Sequence, residues 1–285
     1  MSGSVEKIAV IGAGTMGHGI AHVAAAAGYT TCLFDIAQEP LDDGLRQVRA
    51  NLDKGVEKGK VTEADRDVTL AQLSATTDLS EAVGDADLVI EAVPEVLDLK
   101  RSLFAEISVA APEHAVLASN TSSLSLTEIA RAVPRPEQVI GMHFFNPPHL
   151  LKLLEVVRAE QTSPEVLETV RGVGERMERE LVVVSDSPGF ASSRLGICLG
   201  LEAIRMVEQE VASAEDIDKA MVHGYRHPMG PLRLTDLVGL DVRLKIAEYL
   251  HRELQEEQFR PPELLKALVA DGKLGKKTGE GFYCW

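Results

Sequence analysis

Lys7-Ile8-Ala9-Val10-Ile11 is a short β-branched run that leads directly into Gly12-Ala13-Gly14-Thr15-Met16-Gly17, and an alanine-rich stretch then reaches Gly28. Thr30-Thr31-Cys32-Leu33-Phe34 follows and ends in Asp35. No other segment restricts the fold as strongly. A strand, a GxGxxG turn, a helix, a second strand and an acid form a unit in which each glycine has its own steric duty. Gly12 permits the tight turn, Gly14 lets backbone approach a pyrophosphate, and Gly17 lets the helix pack close to the strand. The helix N-terminus then faces phosphates with its free N–H groups. The unit therefore implies dinucleotide binding on a parallel sheet. Asp35 is placed to accept hydrogen bonds from an adenine ribose and to repel a 2′-phosphate, which favours NAD over NADP.

The same rhythm continues. Strands are expected at Asp87–Val93, Ala115–Ser119, Val139–Phe144, Leu153–Val157 and Leu181–Ser185, with helices between them, as a doubly wound sheet requires. Residues 41–72 interrupt the alternation with a long polar helical pattern that reads as an inserted helical hairpin. Ser163-Pro164-Glu165 carries a helix-start signal, with a capping serine and a proline at the first helical position. Beyond Ser185-Asp186-Ser187-Pro188-Gly189-Phe190 the strand signals vanish. Ser192 to Val211 is amphipathic, Ser213-Ala214-Glu215-Asp216 starts another helix, Leu232 to Leu254 has continuous helical spacing, and Pro261-Pro262 opens a last one. The predicted fold is α/β: a Rossmann-type domain over 1–187, followed by a smaller all-α domain over 188–285.

Bulk properties narrow the function. The 285 residues suffice for two domains. The net charge of −15 offers no basic excess to neutralise phosphates, so a nucleic-acid partner is not expected. Cys32, Cys198 and Cys284 stand far apart without CxxC spacing, which argues against a disulfide framework or a zinc site and fits a reducing cytoplasm. No signal peptide is expected ahead of the first strand, and no apolar run reaches membrane-spanning length. No metal is implied.

The second informative segment is Met142-His143-Phe144-Phe145-Asn146-Pro147, with Glu155 twelve residues after His143. Glu155 lies inside the apolar run Leu153-Leu154-Glu155-Val156-Val157. A lone carboxylate there is costly unless something pairs it. A histidine at the end of the preceding strand is a fitting partner. A carboxylate that orients an imidazole and stabilises its protonated form makes a general base for a hydroxyl proton. A buried pair that only supports the fold is the alternative.

Taken together the motifs resemble those of the short-chain 3-hydroxyacyl-CoA dehydrogenases, on the side of the bacterial 3-hydroxybutyryl-CoA enzymes. The resemblance spans nearly the whole chain. It is carried by Val10–Gly17, Ala118-Ser-Asn-Thr-Ser-Ser123, Gly141-Met-His-Phe-Phe-Asn-Pro147, Ser187-Pro-Gly-Phe190, His227-Pro-Met-Gly-Pro231 and Gly275-Lys-Lys-Thr-Gly-Glu-Gly-Phe-Tyr283. It implies NAD-linked interconversion of (3S)-3-hydroxyacyl-CoA and 3-oxoacyl-CoA, and a helical domain that binds substrate and forms a homodimer. By motif, His143 matches the catalytic base and Glu155 its partner. Ser122 matches the residue that hydrogen-bonds the substrate C3 oxygen, where a helix-capping role is the competing reading of Ser122 and Ser123. Asn146, Glu95, Lys100 and Lys277 match further NAD contacts. Lys54 and Lys58 match lysines that bind CoA; they stand four apart on one helical side and repel each other by about 0.2–0.5 kcal/mol.

One position departs from the family. After Pro188-Gly189-Phe190 the pattern expects two apolar residues, then Asn and Arg, but the chain reads Ala191-Ser192-Ser193-Arg194. Ser193 is shorter than the amide that positions substrate, so a direct contact becomes a water-bridged one. Asn146-Pro147-Pro148-His149-Leu150 also leans toward dehydrogenases of free hydroxy acids such as carnitine or gulonate. Two rivals follow: an NAD dehydrogenase of a free hydroxy acid, and a non-catalytic NAD-binding protein.

Overall fold

The computed structural model describes residues 4–285, which fall into two compact units, 4–187 and Pro188–Trp285. The first carries strands β1 (Lys7–Ile11), β2 (Thr30–Phe34), β3 (Leu73–Thr76), β4 (Leu88–Glu91), β5 (Val116–Ser119), β6 (Val139–Phe144), β7 (Leu153–Arg158) and β8 (Glu180–Ser185). Its helices are α1 (Gly17–Ala26), α2 (Gln38–Glu57), α3 (Glu63–Ala71), α4 (Leu79–Val83), α5 (Leu97–Ala110), α6 (Leu126–Ala130) and α7 (Pro164–Arg176). The eight strands form one sheet in the order β3-β2-β1-β4-β5-β6-β7-β8.

All pairings are parallel except β6 with β7. A parallel pair needs a long crossover, and residues 145–152 are too few for one, so the chain reverses. Central strands β4, β5 and β6 are buried along their whole length, as expected where helices cover both faces. The core packs Ile8 and Val10 of β1 with Ile20 and Ala24 of α1, Ile90, Ile140 and Met142. Gly17 is dictated by this packing: a Cβ there would stand 1.6 Å from the Gly12 carbonyl oxygen.

The polar stretch at 41–72 forms α2 and α3, the latter capped by Thr62, whose side chain accepts from the Asp65 N–H. Strand β3 is absent from the sequence reading. Leu73-Ser74-Ala75-Thr76 is a half-exposed edge with one large apolar residue, too short for alternation to register. Ser163 caps α7 with Pro164 at its first turn.

The second unit holds α8 (Ser192–Glu208), α9 (Ala214–Lys219), α10 (Pro231–Val238), α11 (Leu240–Leu254) and α12 (Glu263–Ala270) around Ile197, Leu201, Ile204, Leu232, Leu250 and Phe259. Helical spacing across 232–254 predicts one helix, but two form. Gly239 has φ +106°, a conformation open to glycine, and it separates α10 from α11. Among the described residues no helix is long and apolar enough to cross a membrane.

Candidate active site

The turn after β1 opens onto a cleft of about 650 Å³ lined by Gly12, Gly14, Thr15, Phe34, Asp35, Ile36, Val93 and Leu99, among others. Gly12 has φ +101°. A Cβ at Gly14 would meet no protein atom within 4 Å, so this glycine faces open space in the cleft. Asp35 at the end of β2 accepts from the Ala13 N–H through Oδ2 at 2.8 Å. This bond ties the acid to the glycine turn, and Oδ1 accepts from no described residue. Helix α1 starts here with no acidic side chain in its first turn and no side-chain cap. Glycine turn, uncapped helix end and the acid after β2 fit NAD by shape and charge.

At the opposite junction of the sheet, His143 on β6 and Glu155 on β7 are directly paired residues. The His143 Nδ1 to Glu155 Oε2 distance is 2.8 Å, and both side chains are buried. The Phe145 ring tilts against the imidazole with centroids 4.5 Å apart. With Nδ1–H donating to the carboxylate, the tautomer places the basic lone pair on Nε2. The pairing of an acid in an apolar strand with this histidine, expected from sequence, is present.

The segment after β5 forms a polar loop built on a second buried pair. Lys100 of α5 donates to Glu91 Oε1 at 2.6 Å and to the Val93 carbonyl at 3.2 Å, and stands 3.4 Å from Glu95 Oε2. Ser119 Oγ donates to Glu91 Oε2 at 2.6 Å. Glu95 Oε1 then accepts from Thr121 Oγ1 at 2.6 Å, from the Ser122 N–H at 3.0 Å and from the Ser123 N–H at 3.2 Å. The Ser122 and Ser123 hydroxyls also reach it, both at 3.3 Å. Desolvation pushes the Glu95 carboxyl up, but the Lys100 charge and the Thr121 and Ser122 hydrogen bonds outweigh it and hold it below its ordinary value. Ser122 and Ser123 do not cap α6; Ser125 does, accepting from the Glu128 N–H.

The remaining sequence-derived residues divide by unit. Lys54 lies in the last turn of α2 and Lys58 is its C-cap; both are exposed, and among the described residues neither meets a carboxylate. Lys54 acts on His149, whose pKa is lowered by desolvation first and then by His18 and Lys54. Asn146 is exposed just beyond β6. Ser193, in the first turn of α8, and Lys277 belong to the second unit. Lys277 Nζ stands 2.5 Å from Asp241 Oδ1. Lys100 is buried with its ammonium engaged first by Glu91 and then by the Val93 carbonyl and Glu95.

Three participants escaped sequence reasoning. Glu91 and Ser119 form the floor of the loop, and Asn120 Oδ1 accepts from the Phe144 N–H at 2.8 Å, tying the loop to the residue after His143. Glu91 carries the signal that singled out Glu155: an acid in an apolar strand, Leu88-Val89-Ile90-Glu91. Among the described residues no three His, Cys, Asp or Glu side chains gather to hold a metal.

Comparison with known proteins shows the family. Family models described as the NAD binding domain and the C-terminal domain of 3-hydroxyacyl-CoA dehydrogenase match residues 7–187 and 189–285. The probable 3-hydroxybutyryl-CoA dehydrogenase of Bacillus subtilis is 44% identical, covering 98% of this chain and 97% of the relative. The mitochondrial hydroxyacyl-coenzyme A dehydrogenase of Sus scrofa is 42% identical over 98% of this chain and 91% of its own length. The crystal structure of (S)-3-hydroxybutyryl-CoA dehydrogenase from Ralstonia eutropha superposes with a TM-score of 0.96 at 37% identity, covering 99% of each chain. With both domain models matched in order and full-length relatives above 40% identity, the chain belongs to the 3-hydroxyacyl-CoA dehydrogenase family and is an NAD-dependent oxidoreductase.

Proposed function

We propose that this enzyme interconverts (3S)-3-hydroxybutyryl-CoA and acetoacetyl-CoA, with His143 as the general base. The observation that carries the reading is the buried 2.8 Å contact between His143 Nδ1 and Glu155 Oε2. In oxidation, His143 Nε2 takes the C3 hydroxyl proton, and Glu155 stabilises the imidazolium that results. In reduction, protonated His143 polarises the carbonyl and returns the proton. Bound NAD supplies the hydride acceptor. The Glu95 network holds Ser122 where its hydroxyl meets the C3 oxygen. Gly12, Gly14, Gly17 and Asp35 hold the adenosine half of NAD, with Glu95, Asn146 and Lys277 toward the nicotinamide and Lys100 acting through Glu95. Lys54 and Lys58, exposed and among the described residues without carboxylate partners, suit the CoA phosphates, and Ser193 is assigned to the substrate by its place in the motif after Pro188-Gly189-Phe190.

The same reading makes the helical unit a substrate and dimerisation domain. Leu195, Val211 and Tyr225 expose large apolar surface there, which supports a homodimer. Three unpaired cysteines support a cytoplasmic setting. The test is NADH oxidation by acetoacetyl-CoA followed at the nicotinamide absorbance. His143→Ala should lower kcat by about 10²–10⁴ while NADH binding persists. Wild-type turnover by that variant would refute the role of the dyad.

A further inference from the structure

Strand β6 outruns its neighbour β5. The register pairs Leu117 with Val139, Ala118 with Ile140 and Ser119 with Gly141, and there β5 ends. Met142, His143 and Phe144 continue without a partner strand on that side. Phe144 is 2% exposed, so its N–H cannot turn to water and needs an acceptor from the protein. Asn120, the first residue beyond β5, supplies one: its Oδ1 accepts from the Phe144 N–H at 2.8 Å. The side chain stands in for the strand residue that the turning chain takes away. Its own main chain is held from the other side, where the Asn120 N–H donates to the Glu91 carbonyl at 2.8 Å. Asn120 therefore joins the ends of β4 and β6 across the end of β5.

The chain turns away at Thr121, which is 1% exposed and whose Oγ1 makes three bonds. It donates to Glu95 Oε1 at 2.6 Å and accepts from the Ser123 N–H at 3.3 Å and the Leu124 N–H at 2.9 Å. This turn carries Ser122 to Glu95, whose Oε1 accepts the Ser122 N–H at 3.0 Å. That bond fixes the serine relative to the loop after β4. His143 is fixed relative to β7, through Glu155. Neither bond relates the serine to the histidine. The Asn120 amide does so by a short path: back along the chain from Ser122 to Asn120, across one hydrogen bond to Phe144, and one residue back to His143.

We infer that Asn120 is a positioning residue of the hydroxyl–ketone interconversion: its amide sets the Ser122 hydroxyl and His143 Nε2 at the spacing from which both reach one oxygen. This role rests on the reading that Ser122 and His143 share the C3 oxygen of the substrate. A proton passes between the base and that oxygen only when they stand within about 2.6–3.2 Å, and a misplacement of about 1 Å costs about 10²-fold in rate. Two groups on one oxygen must meet that limit together, so their mutual spacing is as constrained as either contact alone. Asparagine suits the post. Its oxygen reaches one atom further than a serine hydroxyl, and it brings no further charge to strand ends that already carry Glu91 and Glu155.

The test is a double-mutant cycle in kcat for acetoacetyl-CoA reduction by NADH, run on the full-length wild type, Asn120→Ala, Ser122→Ala and the double variant. Asn120→Ala should lower kcat by about tenfold or more, with KM for both substrates within about threefold of wild type. The isotope effect with NADH deuterated at the transferred position should rise, because a misaligned pair slows the chemical step and not product release. Once the Ser122 hydroxyl is gone no pair is left to align, so adding Asn120→Ala to Ser122→Ala should cost less than about threefold more. Asn120→Asp keeps an acceptor for the Phe144 N–H and should recover part of the loss. If Asn120→Ala does not fold, Asn120→Ser takes its place in the cycle, since its hydroxyl is too short to reach the Phe144 N–H. Additive losses in the cycle overturn the role of Asn120, as does an unmoved kcat, a loss carried by KM alone, an unmoved isotope effect, or an Asn120→Asp no better than Asn120→Ala. Wild-type kcat in Ser122→Ala would instead sink the parent reading of Ser122. A fall in Ser122→Ala with additive losses in the cycle leaves that reading standing and removes only the role of Asn120.

Discussion

Removing the Lys100 ammonium should destabilise the first unit more than any exposed ion pair could. Glu91 is fully buried, and among the described residues Lys100 supplies its only cation, at 2.6 Å. The Val93 N–H and Ser119 Oγ would remain as its hydrogen bonds. Breaking a buried pair by deleting one partner costs about 3–5 kcal/mol, because the surviving charge stays buried. For a unit of this length, about 2–4 °C of melting temperature is lost per kcal/mol. Lys100→Met should therefore lower the midpoint by roughly 6–20 °C on that scale. Glu91→Gln/Lys100→Met removes both charges and should recover a substantial part of the loss, giving a coupling energy of about 1–3 kcal/mol in a double-mutant cycle. The assays are thermal melting and urea unfolding of the four proteins at neutral pH, the first reading the midpoint shift and the second the coupling energy, with kcat and KM for NADH measured well below each midpoint. A Lys100→Met loss under about 1 kcal/mol, or a double variant no better than the single, would refute the claim that this pair is electrostatically coupled and dry. The kinetic arm separates support of the fold from support of the loop. If the network positions Ser122 through Glu95, kcat should fall in Lys100→Met even where the enzyme is fully folded.

Three further outcomes follow from the geometry. His22 is 7% exposed and stacks on His149 at 5.4 Å, and desolvation, with smaller contributions from His149 and His18, lowers its pKa from 6.5 to about 4. The unfolded chain thus takes up a proton between pH 6.5 and about 4 that the folded chain refuses, so stability is full above pH 6.5 and is lost as pH falls through that window. At 1.36 kcal/mol per pH unit the loss at pH 5 is about 2 kcal/mol; His22→Phe should flatten this limb in urea unfolding at pH 7.5 and 5.0, and an unchanged slope would contradict it. Asp35→Ser should narrow the preference for NADH over NADPH in kcat/KM at least tenfold by removing the charge that repels a 2′-phosphate, and a wild-type preference for NADPH would overturn the reading of this acid. Lys54→Ala/Lys58→Ala should raise KM for acetoacetyl-CoA, less so in high salt, and should leave a short thioester lacking the nucleotide unaffected; equal loss on both would make the lysines structural.

Sequence patterns reveal those parts of the fold where one local rule suffices. The β1–α1–β2 unit is legible because the glycine spacing has a steric reason at each position. Glu155 is legible because an acid in an apolar strand demands a partner, and a histidine stood within reach along the chain. Glu91 obeys the same rule but escaped notice: its partner Lys100 is nine residues on, in a helix whose polar residues resemble a solvated face. Strand β3 was missed because it gains its place from pairing with β2, a non-local contact that Leu73-Ser74-Ala75-Thr76 does not advertise. The 232–254 region shows the opposite failure. Apolar spacing continues across Gly239, yet the backbone there leaves the helical region, and periodicity cannot see a dihedral angle.

The antiparallel reversal between β6 and β7 explains why His143 and Glu155 stand side by side. In a purely parallel arrangement a helical crossover would separate the two strands, and nothing local would tie a base on one to an acid on the other. Here the short connection at 145–152 fixes the register, which sets His143 opposite Glu155, Met142 opposite Val156 and Gly141 opposite Val157. The register is defended by packing. A Cβ at Gly141 would stand 2.7 Å from the Val157 Cβ, so only glycine fits opposite this valine. Met142, Leu154 and Val156 are fully buried on their own account. A slip by one residue would turn each strand's apolar set to the wrong face and separate the imidazole from its carboxylate at the same time. The hydrophobic effect that holds the sheet in register is thus also what holds the imidazole in its tautomer. That coupling accounts for an ionisable pair in a dry strand environment that an apolar pair could fill at lower cost.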